Sequence, residues 1–290
     1  CTDRTVSILS MLKGSMMDTF IDSLLEPFRY TFMVRALVVS VVIGVMAPII
    51  GSYVVTRGFA FMGDAMAHAV FPGMIGGFLI GINPLIATIP VGAAVALLIG
   101  YLSRRTGISE DTSIGILFAG LFALGLTMLS LAKGLPVNLE DLLLGQVLGV
   151  SNTDVYITLA LAATVLVMLY VFHKELVFAS FDPIGATVTG LPTATLDYLL
   201  LVLLAIVIII SIQAVGVVLI MAMLVTPAAT AYLLVRRLAQ VMALGAVLGG
   251  ISATAGLYFS FYLNLPSGST MTLIAVGIFL VVAAVRRRPT

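Results

Sequence analysis

Charge is what this sequence has least of. Asp, Glu, Lys and Arg make up 9% of its 290 residues, where ordinary soluble domains carry roughly 25%. Hydrophobic types reach 61% and the mean hydropathy is +1.22. That balance excludes an aqueous globule and identifies an integral membrane protein. A formal net charge of +1 lacks the basic excess that a nucleic-acid partner needs, and leaves the basic residues to be explained by orientation in a bilayer. The single cysteine, Cys1, excludes an internal disulfide; it is expected to be an accident of numbering rather than a lipidated start. Residues 1–30 carry Asp3, Asp18, Asp22 and Glu26 and lack an apolar centre, so no secretory signal is expected there. No GxxxxGKS/T phosphate loop occurs, so ATP-driven work would need an ATPase on another chain.

Long apolar runs are what the sequence does have. Stretches able to cross roughly 30 Å of hydrocarbon fall at about 31–56, 59–80, 84–103, 112–131, 154–172, 197–212, 216–235, 240–260 and 269–285. They predict an all-α, polytopic fold of about eight or nine transmembrane helices forming one domain over 31–288. The boundary between the sixth and seventh runs is faint, marked only by Gln213 and Gly216. Residues 1–30 form an N-terminal extension, with an interfacial amphipathic helix expected over 16–29 from Met17, Phe20, Ile21, Leu24 and Phe28 on one side and Asp18, Asp22 and Glu26 on another. A short extra helix is expected in "NLEDLLLGQVLG". Arg57, Arg104, Arg105, Lys174, Arg236, Arg237 and Arg286–Arg288 sit at every second span boundary. Those ends are therefore cytoplasmic, which puts the C-terminus inside and, with nine spans, the N-terminus outside. The longest polar connection, about 173–196, is too short to fold alone.

Against this background "GDAMAHAV" (63–70) stands out, because Asp64 is the only acid between Glu26 and Glu110. Residues four apart on a helix share a face, so Asp64 and His68 point the same way. Both can ligate a divalent cation, and an ionisable group inside a membrane segment is a functional candidate by default. The competing reading is an Asp–His hydrogen bond that only packs two helices. Pro72 has no N–H to offer the carbonyl four residues back, that of His68, so the backbone loosens beside the pair, as where interrupted helices line a transport path. Gly73, Gly76 and Gly77 then allow close helix approach or further distortion. Met62 and Met66 lie about 200° around the helix from Asp64 and His68 respectively and are read as packing residues rather than a copper site. His173, beside Lys174 and Glu175, is an ordinary interfacial histidine, and no HExxH occurs.

Six blocks in fixed order, "RGFAFMGDAMAHAVFPG", "SEDTSIGILFAGLFALG", "DLLLGQVLGVSNTD", "FDPIGATVTGL", "QAVGVVLIMAMLVTPAATAYLL" and "LPSGST", resemble the membrane permease subunit of the manganese, zinc and iron ABC importers over about 27–288. The resemblance implies a permease of the vitamin B12-type (type II) architecture, paired with a second copy or a close homologue. Two cytoplasmic ATPase subunits and an extracytoplasmic metal-binding protein would serve it in a prokaryotic cytoplasmic membrane. It assigns the metal path to Asp64 and His68, and ATPase coupling to Asp182, Ala186 and Gly190 of "FDPIGATVTGL". Pro183 can begin a short helix there and Gly190 can end one. Across a two-fold axis the pair would become two aspartates and two histidines around one divalent ion. Four protein ligands suit tetrahedral zinc, and added water or a freed carbonyl suits manganese; the "AHAVFPG" form resembles the manganese and iron branches more than the zinc branch, and manganese is favoured. No permanent cofactor is expected. The alternatives are a proton-coupled secondary transporter using the same pair, for which no inverted repeat is visible, and an intramembrane metalloenzyme, for which no third ligand or general base is visible.

Overall fold

The computed structural model describes residues 26–59, 62–132 and 149–286. The expected amphipathic helix over 16–29 lies outside them except for its last turn, Glu26–Arg29, a 3-10 turn. The extra helix expected over 138–149 also lies outside, all but its final residue. Among the described residues there are α-helices and no strands: α1 Thr31–Arg57, α2 Met62–Ala69, α3 Phe71–Ile80, α4 Pro84–Thr106, α5 Glu110–Leu131, α6 Asn152–Val171, α7 His173–Phe181, α8 Pro183–Val188, α9 Thr193–Val215, α10 Val217–Leu234, α11 Leu238–Leu263 and α12 Ser267–Val285.

Among the described residues eight helical segments are long and apolar enough to cross a membrane, with α2 and α3 counted as one segment, and Ile220–Leu234 within α10 is a shorter apolar helix. These helices thus match the eight or nine spans expected. Local chemistry explains the ends. Gly58, Gly81 and Gly107 close α1, α3 and α4 in the left-handed conformation. Asn83 and Ser109 cap α4 and α5 through their side chains, and Ser151 with Asp154 makes a capping box on α6. The faint boundary after the sixth run falls at Gly216, whose φ of 83° and ψ of 165° break α9 from α10.

Inside a bilayer lipid tails are as apolar as leucine, so close packing rather than apolarity selects which faces meet. The 27 residues of α1 run about 40 Å and pack on α11, α10, α9 and α6. At the α1–α11 crossing a Cβ on Gly44 would lie 2.7 Å from the Gly249 carbonyl oxygen, so only glycine permits that approach. The interrupted segment α2–α3 is 67% buried, held by α5, α9, α10 and α4. By contrast α5 is 11% buried and turns Ile116 and Leu124 outward. The ends that carry Arg57 and Arg104 come together on Asp197 of α9, so the two lie on the same side of the bundle.

Candidate metal site and cytoplasmic segment

Asp64 lies in the first turn of α2 and His68 in its last, where the helix dipole favours an anion and a cation respectively. Their side chains share one face: His68 Nδ1 is 3.8 Å from Asp64 Oδ1, and the two are 17% and 29% exposed. The same Nδ1 lies 2.9 Å from the Asp64 backbone carbonyl oxygen. A carbonyl only accepts, so Nδ1 carries the proton and a neutral His68 keeps its lone pair on Nε2. The ring thus presents one nitrogen for ligation while its other nitrogen is spent on holding the ring in place.

Two phenylalanines of α5 complete the setting. Phe118 and Phe122 meet the imidazole nearly edge-on, with centroids at 5.3 and 5.1 Å, and Phe71 packs on Phe122 at 5.7 Å. Sequence reading missed both α5 residues; their i,i+4 spacing was visible, but an aromatic pair at that spacing is indistinguishable from ordinary core. Met62 and Met66 are buried at 1% and 0% exposure, as packing residues. Among the described residues no group of three or more His, Cys, Asp and Glu side chains could hold a metal. Asp64 and His68 are thus two candidate ligands without a third such group beside them among the described residues.

The backbone is interrupted beside the pair. A turn at Val70 divides α2 from α3, with Pro72 in the first turn of α3. The Val70 N–H still reaches the Met66 carbonyl, but the Gly73 N–H bonds Val70, one residue short of the α-helical spacing. Gly73 and Gly77 serve close approach: a Cβ on either would lie 2.8 Å from a side-chain carbon of α4, on Val91 and Ala87 respectively. Gly76 faces open space.

The segment 182–190 forms the short helix expected of it. Asp182 caps α8 by accepting the Gly185 N–H at 2.8 Å, and Gly190, one residue past the C-cap, has φ 83°. Ala186 is fully buried, so its side chain anchors α8 on the protein and offers no surface to a partner. The surface offered is Ile184 and Val188, 79% and 82% exposed, one turn apart. Neither stood out in the sequence, where apolar residues are the rule. His173 is less ordinary than its position suggested: its Nδ1 is 3.0 Å from the hydroxyl of Tyr53, which is fully buried.

Residues 29–286 match the ABC 3 transport family. The chain is 41% identical over 260 residues to the manganese transport system membrane protein MntC of Halalkalibacterium halodurans, covering 90% of this chain and 88% of that one. It is 37% identical over 260 residues to the chelated iron transport system membrane protein YfeD of Yersinia pestis, covering 90% and 87%. The solved structure of PsaBC from Streptococcus pneumoniae in complex with Fab superposes with a TM-score of 0.80 at 36% identity, covering 92% of this chain and 95% of that one.

Proposed function

Since the chain belongs to the ABC 3 transport family and is the permease of a metal ABC importer, we propose that it carries divalent manganese into the cytoplasm along a path between two permease copies. Asp64 and His68 of each copy face that path. The observation that carries this reading is the half-site itself: a carboxylate and a free imidazole Nε2 on one face of an interrupted helix, inside a well-buried membrane segment. Paired across a two-fold axis, two carboxylates balance one divalent ion, and two imidazoles add neutral ligands. Water or backbone oxygen then fills the octahedral sphere that manganese prefers. The names of the relatives, manganese and chelated iron, favour that ion or iron over zinc.

ATP is hydrolysed by a separate subunit seated on the segment 182–190, with Ile184 and Val188 as its apolar contacts. Asp182 and Gly190 hold α8 in shape and Ala186 fastens it. Membership of an ATP-driven family supports this arrangement over the proton-coupled carrier. The test is uptake of radiolabelled manganese by a deletion strain carrying this chain with its ATPase and metal-binding protein, with zinc and iron as competitors. Uptake is expected to vanish without the ATPase and to be blocked least by zinc. Uptake that persists without the ATPase, or that zinc abolishes first, overturns the reading.

A further inference from the structure

We propose that Asp197 is a positioning residue for transport: its double bridge to Arg57 and Arg104 is the link through which movement of α8 reaches the metal-path helix α2. The proposal rests on the assignment of 182–190 as the ATPase seat and names the connection that assignment lacks. Asp197 lies near the start of α9. Its Oδ1 accepts from Arg57 Nη1 at 2.8 Å and its Oδ2 from Arg104 Nη2 at 2.6 Å. Arg57 also donates from Nε to Ser180 Oγ of α7 at 3.0 Å, and the Ser180 hydroxyl is itself fixed on the Leu176 carbonyl at 2.6 Å.

Ser180 and Asp197 bracket α8 in the chain, and α8 packs on α7 and α9. One guanidinium therefore grips both flanks of the docking segment. That guanidinium belongs to the last residue of α1; Gly58 follows in the left-handed conformation, and Asp64 comes seven residues after Arg57. A shift of α8 is thus delivered to the end of α1, from which the chain continues to Asp64 seven residues on.

The two bridges are unequal. Arg57 is 12% exposed and Asp197 24%, so this pair is sheltered, and removing either charge strands the other in a poorly solvated site. The Arg57 Nη2 has no partner among the described residues, which leaves the bonds to Asp197 and Ser180 as what holds the group. Arg104 is 42% exposed and rests over the Tyr198 ring at 5.6 Å; solvent screens that bridge. The link runs through Arg57, and Arg104 trims it. Arginine is required there because its fork reaches two acceptors at once, which a lysine ammonium on a flexible stem does not reproduce.

The test uses the assembled importer in liposomes, with manganese(II) as the probe. Three quantities are read: copurification of the ATPase, manganese binding to the permease, and manganese moved per ATP hydrolysed. Asp197→Asn keeps the shape and removes the charge; it is expected to leave the first two at wild-type values and to lower the third about tenfold. Asp197→Glu should recover part of the loss, Arg57→Lys should match Asp197→Asn, and Arg104→Gln should cost no more than about twofold. Wild-type manganese per ATP in both Asp197→Asn and Arg57→Lys overturns the proposal, as does a loss confined to copurification or to manganese binding. Should Asp197→Asn fail to assemble, Arg57→Lys, which keeps every charge, decides. Failure of the docking assignment shows separately: Gly190→Trp would then leave copurification and hydrolysis unchanged whatever Asp197 does.

Discussion

The helices α3 and α8 are punctuated alike and live in opposite surroundings. Each has a proline in its first turn, Pro72 and Pro183, and a glycine at positive φ beyond its end, Gly81 at 76° and Gly190 at 83°. In each the next N–H returns to a carbonyl five residues back, Ile82 to Gly77 and Leu191 to Ala186, at 3.1 Å in both. Yet α3 buries Phe71, Pro72, Gly73, Met74, Ile75 and Gly77, while α8 buries Ala186 alone. Start and stop signals are properties of a few consecutive residues. Which side chains are covered depends on what packs against them: among the described residues α3 packs chiefly on α4 and α5, and α8 chiefly on α7 and α9. The difference suits the helices to the different work proposed for them: α3 is enclosed by its neighbours, and α8 leaves Ile184 and Val188 exposed.

The widest separation between the two regions should come from charge at the path. Asp64→Asn is expected to lower manganese uptake by more than roughly 100-fold, beyond what loss of a mere outer-shell partner costs, with the permease still assembled with its ATPase. Near-normal uptake by this variant would remove Asp64 from the path. On the other helix, Ile184→Ser combined with Val188→Ser should leave manganese binding intact and weaken ATPase copurification by at least tenfold. Burying one such side chain is worth about 1.5–3 kcal/mol, and about 1.4 kcal/mol is a factor of ten. Unchanged copurification would mean that this exposed face is not the seat.

Pro72→Ala should have a smaller effect. It restores an N–H able to take the His68 carbonyl and straighten the join between α2 and α3. One backbone hydrogen bond is worth about 1 kcal/mol, so uptake should fall a few-fold while the melting temperature holds or rises. Full activity would show that the interruption plays no part in transport. The smallest effect on uptake is expected of the matched pair Gly81→Ala and Gly190→Ala. A Cβ at either position meets nothing within 4 Å, so both changes carry only the strain of a left-handed residue, about 1–2 kcal/mol. Both should lower the melting temperature similarly. Only Gly190→Ala should also reduce manganese-stimulated ATP hydrolysis; equal effects on hydrolysis would erase the functional contrast between the helices.

Much of this molecule was legible one residue at a time. The apolar runs gave the count of spans because a bilayer demands continuous apolar length. Gly216 marked the α9–α10 break because few other residues tolerate its backbone angles. Asp64 and His68 could be paired because helical spacing places i and i+4 together. Pro183 and Gly190 bounded α8 for equally local reasons. Phe118 and Phe122 against His68, the burial of Ala186 beside the exposure of Ile184 and Val188, and the grip of Arg57 on Ser180 and Asp197 were not legible. Each depends on what packs against a side chain, in the last case across 123 and 140 positions, and in a chain that is 61% hydrophobic apolar character does not separate a face turned to lipid from one turned to protein. The sequence by itself determined where most helices begin and end, though not α7 within the polar connection, and that an ionisable pair shares one helix face in an apolar segment, since both follow from local backbone chemistry and helical spacing. Only the tertiary structure decided which faces meet, because that depends on how closely particular helices can approach.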